Sequence, residues 1–134
     1  MILALLLSAV LSCSNLQPAD VVGTWVVTDA SRTRLPADAQ KAAARIVLDA
    51  NGTFVATDVP GLFARDERDA SILETGRGVW RFVTLGGEQQ LLLEFRQRSN
   101  TPDQSSRGLH VSRRRLYYFI GGPDVGLRVS LEKQ

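Results

Sequence analysis

A glycine and a tryptophan stand two residues apart in Val22-Gly23-Thr24-Trp25-Val26-Val27, and no other stretch limits the possible folds as much. Side chains alternate along a strand, so Gly23, Trp25 and Val27 share one face while Val22, Thr24 and Val26 share the other. The missing side chain at Gly23 lets another segment come close beside the indole. A buried tryptophan removes about 150–250 Å² from water and needs a partner for its N–H, which suits it to plug the end of a small barrel. The simpler alternative is an ordinary core tryptophan after a flexible glycine.

Short alternating runs fill the rest of the chain. Residues 45–49 and 53–57 flank Asn51-Gly52, a dipeptide that supplies the positive backbone angles of a tight hairpin turn. Residues 78–83 and 89–96 are joined through Gly86-Gly87, and residues 109–112 and 116–120 flank the basic turn Arg113-Arg114-Arg115. In the last run, residues 127–132, Leu127, Val129 and Leu131 alternate with Arg128, Ser130 and Glu132. With residues 20–28 as the first, these make eight strands. Residues 36–44 are alanine-rich and open on a proline, which predicts one short helix between the first two strands. Residues 29–34 and 97–107 read as polar loops. Residues 58–75 are long for a connection and read either as a short helix flanked by turns or as a functional loop. Eight short strands in succession predict an all-β fold, an eight-stranded antiparallel up-and-down barrel, because at this number a sheet can close and remove its edges. An open sandwich is the structural alternative.

Residues 2–11 are apolar, too short a run to span a bilayer as a helix, and lead into Val10-Leu11-Ser12-Cys13. This ending is similar to the lipobox of bacterial lipoproteins, where the peptide is cut before a cysteine that carries lipid. Val10, the small Ser12 and Cys13 fit the pattern, and Leu11 is bulkier than usual. The resemblance implies a signal peptide over residues 1–12, a lipidated tether over 13–19 and a barrel domain over 20–134. It also implies anchorage through Cys13 on the periplasmic side of a bacterial cell envelope, at the outer membrane in a Gram-negative cell. Cys13 is the sole cysteine, which excludes an intrachain disulfide. The formal charge of +2 is too small to argue for a nucleic-acid partner or for strong attraction to anionic lipid.

Gly23-Thr24-Trp25 on the first strand, a helix before the second strand and an arginine in the last strand together resemble the lipocalin-like, or calycin, barrels. Residues 122–133 also resemble the endings of small bacterial lipocalin-like lipoproteins. The likeness covers nearly the whole chain after Cys13, although the disulfide and the greater length of larger lipocalins are missing. It implies a structural latch in which Trp25, beside Gly23, plugs one barrel end and Arg128 packs across the indole, a contact worth about 0.5–2 kcal/mol. Ligand-binding residues do not carry over.

The catalytic inventory is poor. His110 is the only histidine, placed between Leu109 and Val111 on a predicted strand and alternating toward solvent. With Cys13 assigned to lipid, a hydrolase triad or a His-based zinc site lacks its parts. The reading is therefore non-enzymatic, with no cofactor and no metal. Asp66, Glu67, Asp69 and Glu74 could hold a hard cation, but Arg65, Arg68 and Arg77 offset them and predict a self-paired loop. Arg113, Arg114 and Arg115 could touch lipid headgroups or an acidic partner, the plainer alternative being a charged turn.

Phe54, Trp80, Phe82, Leu93, Phe95 and Tyr118 are candidates to line an interior cavity, although in eight-stranded barrels side chains can also simply fill the interior. A hollow barrel would be a lipid-anchored module that binds a small hydrophobic ligand, with residues 35–44 and 58–75 at its mouth. A solid one would be an anchored interaction module whose loops contact an envelope protein or inhibit a partner enzyme. Interior volume separates the two, as does an exposed apolar patch.

Overall fold

The computed structural model describes residues 15–99, 105–122, 124 and 126–134. Cys13 and residues 1–12 lie outside them, as do the middle of the predicted 97–107 loop and part of the turn before the last strand. Among the described residues the strands are β1 (Gly23–Val27), β2 (Arg45–Leu48), β3 (Thr53–Pro60), β4 (Leu73–Leu85), β5 (Glu88–Arg98), β6 (Ser105–Val111), β7 (Arg115–Ile120) and β8 (Leu127–Lys133). Each pairs antiparallel with the next, and β8 returns to β1 through Trp25↔Lys133 and Val27↔Leu131. The sheet is a closed eight-stranded up-and-down barrel, as the spacing of alternating runs predicts.

The barrel has two unlike ends. At the tight end the connections are short: Asn51-Gly52 sits between β2 and β3, Gly86-Gly87 between β4 and β5, and residues 112–114 between β6 and β7. Gly52, Gly86 and Gly87 all adopt positive φ there, the reason glycine is required in such turns. At the looped end the connections are longer. Between β1 and β2 lie two single-turn helices, α2 (Asp29–Arg32) and α3 (Ala37–Gln40). The second falls where the alanine-rich stretch predicts a helix, but Pro36 is its N-cap, and the chain rejoins the sheet by Ala44, whose carbonyl accepts from Val27 N. The first occupies the expected loop. Thr28 caps it by accepting from Ser31 N, and its Ser31 hydroxyl accepts from Ser130 N at 2.9 Å, tying the helix to β8. The 61–72 connection contains one 3₁₀ turn, Glu67–Asp69.

A further helix, α1 (Pro18–Val21), precedes β1. It replaces both the start of the predicted first strand and the end of the predicted 13–19 tether. Its turn closes on itself: Gln17 N donates to Asp20 Oδ2 and Asp20 N to Gln17 O. Val21 is fully buried, so the chain belongs to the fold well before β1.

β4 and β5 are longer than predicted because the expected loops on either side of them continue the ladder, through Gly76↔Arg98 and Arg77↔Gln97. Opposite the Arg77–Gly78 step β5 carries one extra residue, Arg96, a bulge that bends β5, and a second extra residue between Ala56 and Val59, where Asp58 takes φ 50°, bends β3. Inward-facing residues of all eight strands meet in one hydrophobic cluster, with Leu35 and Ala39 from the β1–β2 connection and Leu62 and Ala70 from the β3–β4 connection closing it at the looped end.

Candidate functional site

The predicted cavity lining is packed. Phe54, Leu93, Phe95 and Tyr118 are 0–1% exposed, and so are Trp25, Ile46, Leu91, Leu109, Leu116 and Leu131 around them. Such values leave no water-sized space against these side chains, inside or out. Gly78 pairs with Phe54 on one side and Phe95 on the other, these two rings meet edge to face with centroids 4.8 Å apart, and a Cβ at Gly78 would run into the Glu94 carbonyl of β5. Gly76 makes the second concession: a Cβ there would lie 2.7 Å from Phe95 Cδ1. Trp80 belongs to the same core cluster and Phe82 packs against it. They meet each other at 5.9 Å nearer the tight end, where Trp80 Nε1 donates to Asp49 O at 2.9 Å and Phe82 is only half-buried. Tyr118 lies toward the looped end, its hydroxyl donating to Pro60 O at 2.5 Å. Burial pushes its phenol far above the usual range, so it stays protonated.

A polar group of which the sequence singles out only Glu74, and for a different role, seals the looped end. Glu74 and Arg98 form a bidentate ion pair, Nε–Oε1 2.9 Å and Nη2–Oε2 3.2 Å, with side chains 3% and 9% exposed. Arg98 Nη1 also donates to Ser105 Oγ at 2.7 Å, and its guanidinium lies 3.8 Å over the Phe63 ring. Phe63 in turn meets Phe95 at 5.2 Å, so the pair is roofed by an aromatic side chain. Arg107 faces inward beside Leu109 and Ser105. Its Nη2 donates to Phe119 O at 2.9 Å just beyond the short β6–β7 ladder of His110↔Tyr117 and Val111↔Leu116. Its Nε is buried without a partner, and burial lowers its pKa. The acidic residues of the 58–75 stretch disperse: Glu74 is in this pair, while Asp66 faces Arg68 at 2.9 Å on the surface. The Arg68 hydrogen bond holds the Asp66 carboxyl below its ordinary value.

At the tight end, Trp25 is fully buried and its Nε1 donates to Val21 O at 2.8 Å. Gly23 stands next to it at φ 139°, a conformation that favours glycine. Arg128 does not complete the predicted latch. It is exposed on the outer face, its guanidinium 3.9 Å over the Tyr117 ring. The physical reason is parity: Leu127, Val129 and Leu131 face the core, so Arg128, between the first two of them, must face out. The cation beside Trp25 is Lys133, its cross-strand neighbour, whose Nζ donates to Asp20 O at 3.2 Å.

Arg128 instead ends a row of rings on the outer wall of β6, β7 and β8. Tyr117 stacks on His110 at 4.5 Å and 9°, and Phe119 packs edge-on to both at 6.0 Å. His110 Nδ1 lies 3.0 Å from Glu88 Oε1. All three rings are half-buried on the outside of the barrel. The alternation Leu116, Tyr118, Ile120 against Tyr117 and Phe119 was the available signal for this wall. Two surface clefts lie at the looped end, about 160 Å³ between residues 61–64 and the Glu74–Arg98 pair and about 290 Å³ between Arg34, Leu35, Pro36, Glu67, Ala70 and Leu127, and a third of about 320 Å³ lies on the outer wall between Val55, Gly76, Arg77 and Gln97. The first two touch the looped-end members of the core, Leu35, Leu62 and Ala70, but none of the three is lined by Phe54, Leu93, Phe95 or Tyr118. No protein-family model, no curated protein and no solved structure matches this chain.

Proposed function

We propose that the chain is an acylated lipoprotein of the bacterial envelope, a calycin-like barrel that works as a solid, non-catalytic interaction module rather than as a carrier of a small ligand. The observation that supports this is the distribution of its rings. Those facing inward fill the barrel and leave no void, whereas His110, Tyr117 and Phe119 stand half-exposed outside with Arg128 at their edge. Tyr, Phe and Arg are the side chains enriched at protein interfaces, where they offer large contact area at low entropic cost. The partner of this reading is another envelope protein, bound on the β6–β8 wall.

A photoreactive residue at position 117 should give one discrete protein adduct in intact cells, and the same residue at Val55, on the outer face of β3, should not. Phe95→Asp should unfold the protein outright, since it would bury an unpaired charge. Stoichiometric co-purification of an apolar molecule, or saturable quenching of tryptophan fluorescence by fatty acids, haem or aromatic compounds, would overturn the solid-module reading in favour of a ligand carrier.

A further inference from the structure

We infer that the tight end of the barrel rests on the membrane surface, with the Arg113-Arg114 turn and Leu85 among the lipid headgroups and the looped end turned away from the bilayer. This rests on the reading of Cys13 as the acylated residue.

The argument is one of reach. Leu16 is clamped to the barrel by two hydrogen bonds with a single side chain: its N donates to Gln89 Oε1 at 2.8 Å, and Gln89 Nε2 donates to its O at 3.0 Å. Gln89 is the second residue of β5, at the tight end. From Leu16 onward the chain is held, through α1 and the Trp25–Val21 hydrogen bond. Only three residue steps separate Leu16 from Cys13, and a fully extended chain covers at most about 3.3–3.6 Å per step, so the span is at most ~11 Å. The headgroup layer of one leaflet already takes up roughly 5–8 Å of that. A tether this short cannot let the domain stand off the membrane or turn its far end toward it.

The surface this brings to the headgroups suits them. Arg113 and Arg114 are exposed and form no ion pair among the described residues, whereas the neighbouring acids are engaged: Glu132 with Arg115 at 2.6 Å, Glu88 with His110, Asp20 with Gln17 N. A polar cleft of about 460 Å³ lies between Arg113, Arg114, Arg115, Lys133 and Gln134, with Glu132, the partner of Arg115, also on its wall. Leu85, at the end of β4, is 54% exposed at the same end. The short tether imposes the contact, and the two free arginines and the leucine make it favourable. The looped end and the β6–β8 wall are left free for a partner.

The full-length protein, matured in cells and transferred to vesicles of phosphatidylethanolamine and phosphatidylglycerol, would carry a photoreactive residue at position 114, 85 or 68. Positions 114 and 85 should yield lipid adducts, and position 68, in the 61–72 connection, should not. Inserting a long Gly-Ser spacer between Asn15 and Leu16 should lower the adduct yield at 85 at least about fivefold, because the domain then samples many orientations. Acylated, vesicle-bound protein with equal adducts from all three positions, or with no loss on adding the spacer, would overturn the inference. Absence of acyl label together with loss of vesicle binding would instead sink the lipoprotein reading itself.

Discussion

Lys133 passes so close to Gly23 that a Cβ on the glycine would sit 2.9 Å from Lys133 Cε. The contact closes the β1–β8 seam at the tight end, beside the buried Trp25. Two effects require glycine here, the lysine and the backbone at φ 139°, and they differ in stubbornness. The lysine is a flexible side chain that can move aside. The backbone cannot change without displacing β1. Gly23→Ala should therefore cost about 1–2 kcal/mol in urea unfolding, and most of that loss should persist in the Gly23→Ala/Lys133→Ala double variant. Full recovery in the double variant would show that the steric contact, not the backbone, sets the requirement.

Trp25 and Arg128 should behave as unlike residues. Trp25→Ala removes a fully buried ring and its hydrogen bond to Val21 O and should cost about 3–5 kcal/mol, enough to unfold a marginal domain. Arg128→Ala removes an exposed side chain from the face of Tyr117 and should cost no more than about 1 kcal/mol. A large loss for Arg128→Ala, non-additive with Trp25→Phe, would restore the latch that the two residues' separation denies.

The Glu74–Arg98 pair is costly to break and dispensable as a whole. Both side chains are almost entirely buried, and Arg98 also donates from Nη1 to Ser105 Oγ and lays its face on Phe63. Glu74→Ala strands a buried cation and should destabilise by about 3–5 kcal/mol, while Glu74→Leu/Arg98→Met should recover most of that loss. A midpoint shift for Glu74→Ala equivalent to less than about 1 kcal/mol would mean that water reaches the pair.

Where the sequence was a reliable guide, one local signal sufficed. Asn51-Gly52 between two alternating runs gave its hairpin, and the inward face of β8 followed from Leu127, Val129 and Leu131. The same alternation placed Arg128 outside, in conflict with the role implied by the family likeness, and the backbone parity prevailed. What escaped reading depends on contacts distant in the chain. Glu74, Thr75 and Arg77 look like loop residues, yet they are strand because Arg98 and the Phe54–Phe95 pair across Gly78 hold them there. α1 is four residues long, too short to show a helical period, and stands because Trp25 Nε1 needs the Val21 carbonyl. Aromatic residues alone could not say whether the barrel was hollow. One contribution comes from Gly76, where a Cβ would lie 2.7 Å from Phe95 Cδ1, so that only glycine leaves this ring its place in the interior.

Tyr118 provides a test of how dry that interior is. Its phenol is buried and donates to Pro60 O, and burial raises its pKa well above the ordinary value of about 10. In the unfolded chain the same phenol ionises as pH passes about 10, while in the folded chain it keeps its proton. The folded state then holds more protons than the unfolded one, so stability contributed by Tyr118 is complete below about pH 10 and declines above it, by up to about 1.4 kcal/mol per pH unit. Tyr118→Phe loses the hydrogen bond and should be less stable by about 0.5–1.5 kcal/mol at pH 8. It also loses the ionisation, so in urea unfolding the gap between wild type and variant should narrow above about pH 10 and then reverse, leaving the phenylalanine form the more stable. A gap that stays constant through that range would mean that the phenol ionises equally in both states, and that the looped end admits water to the ring.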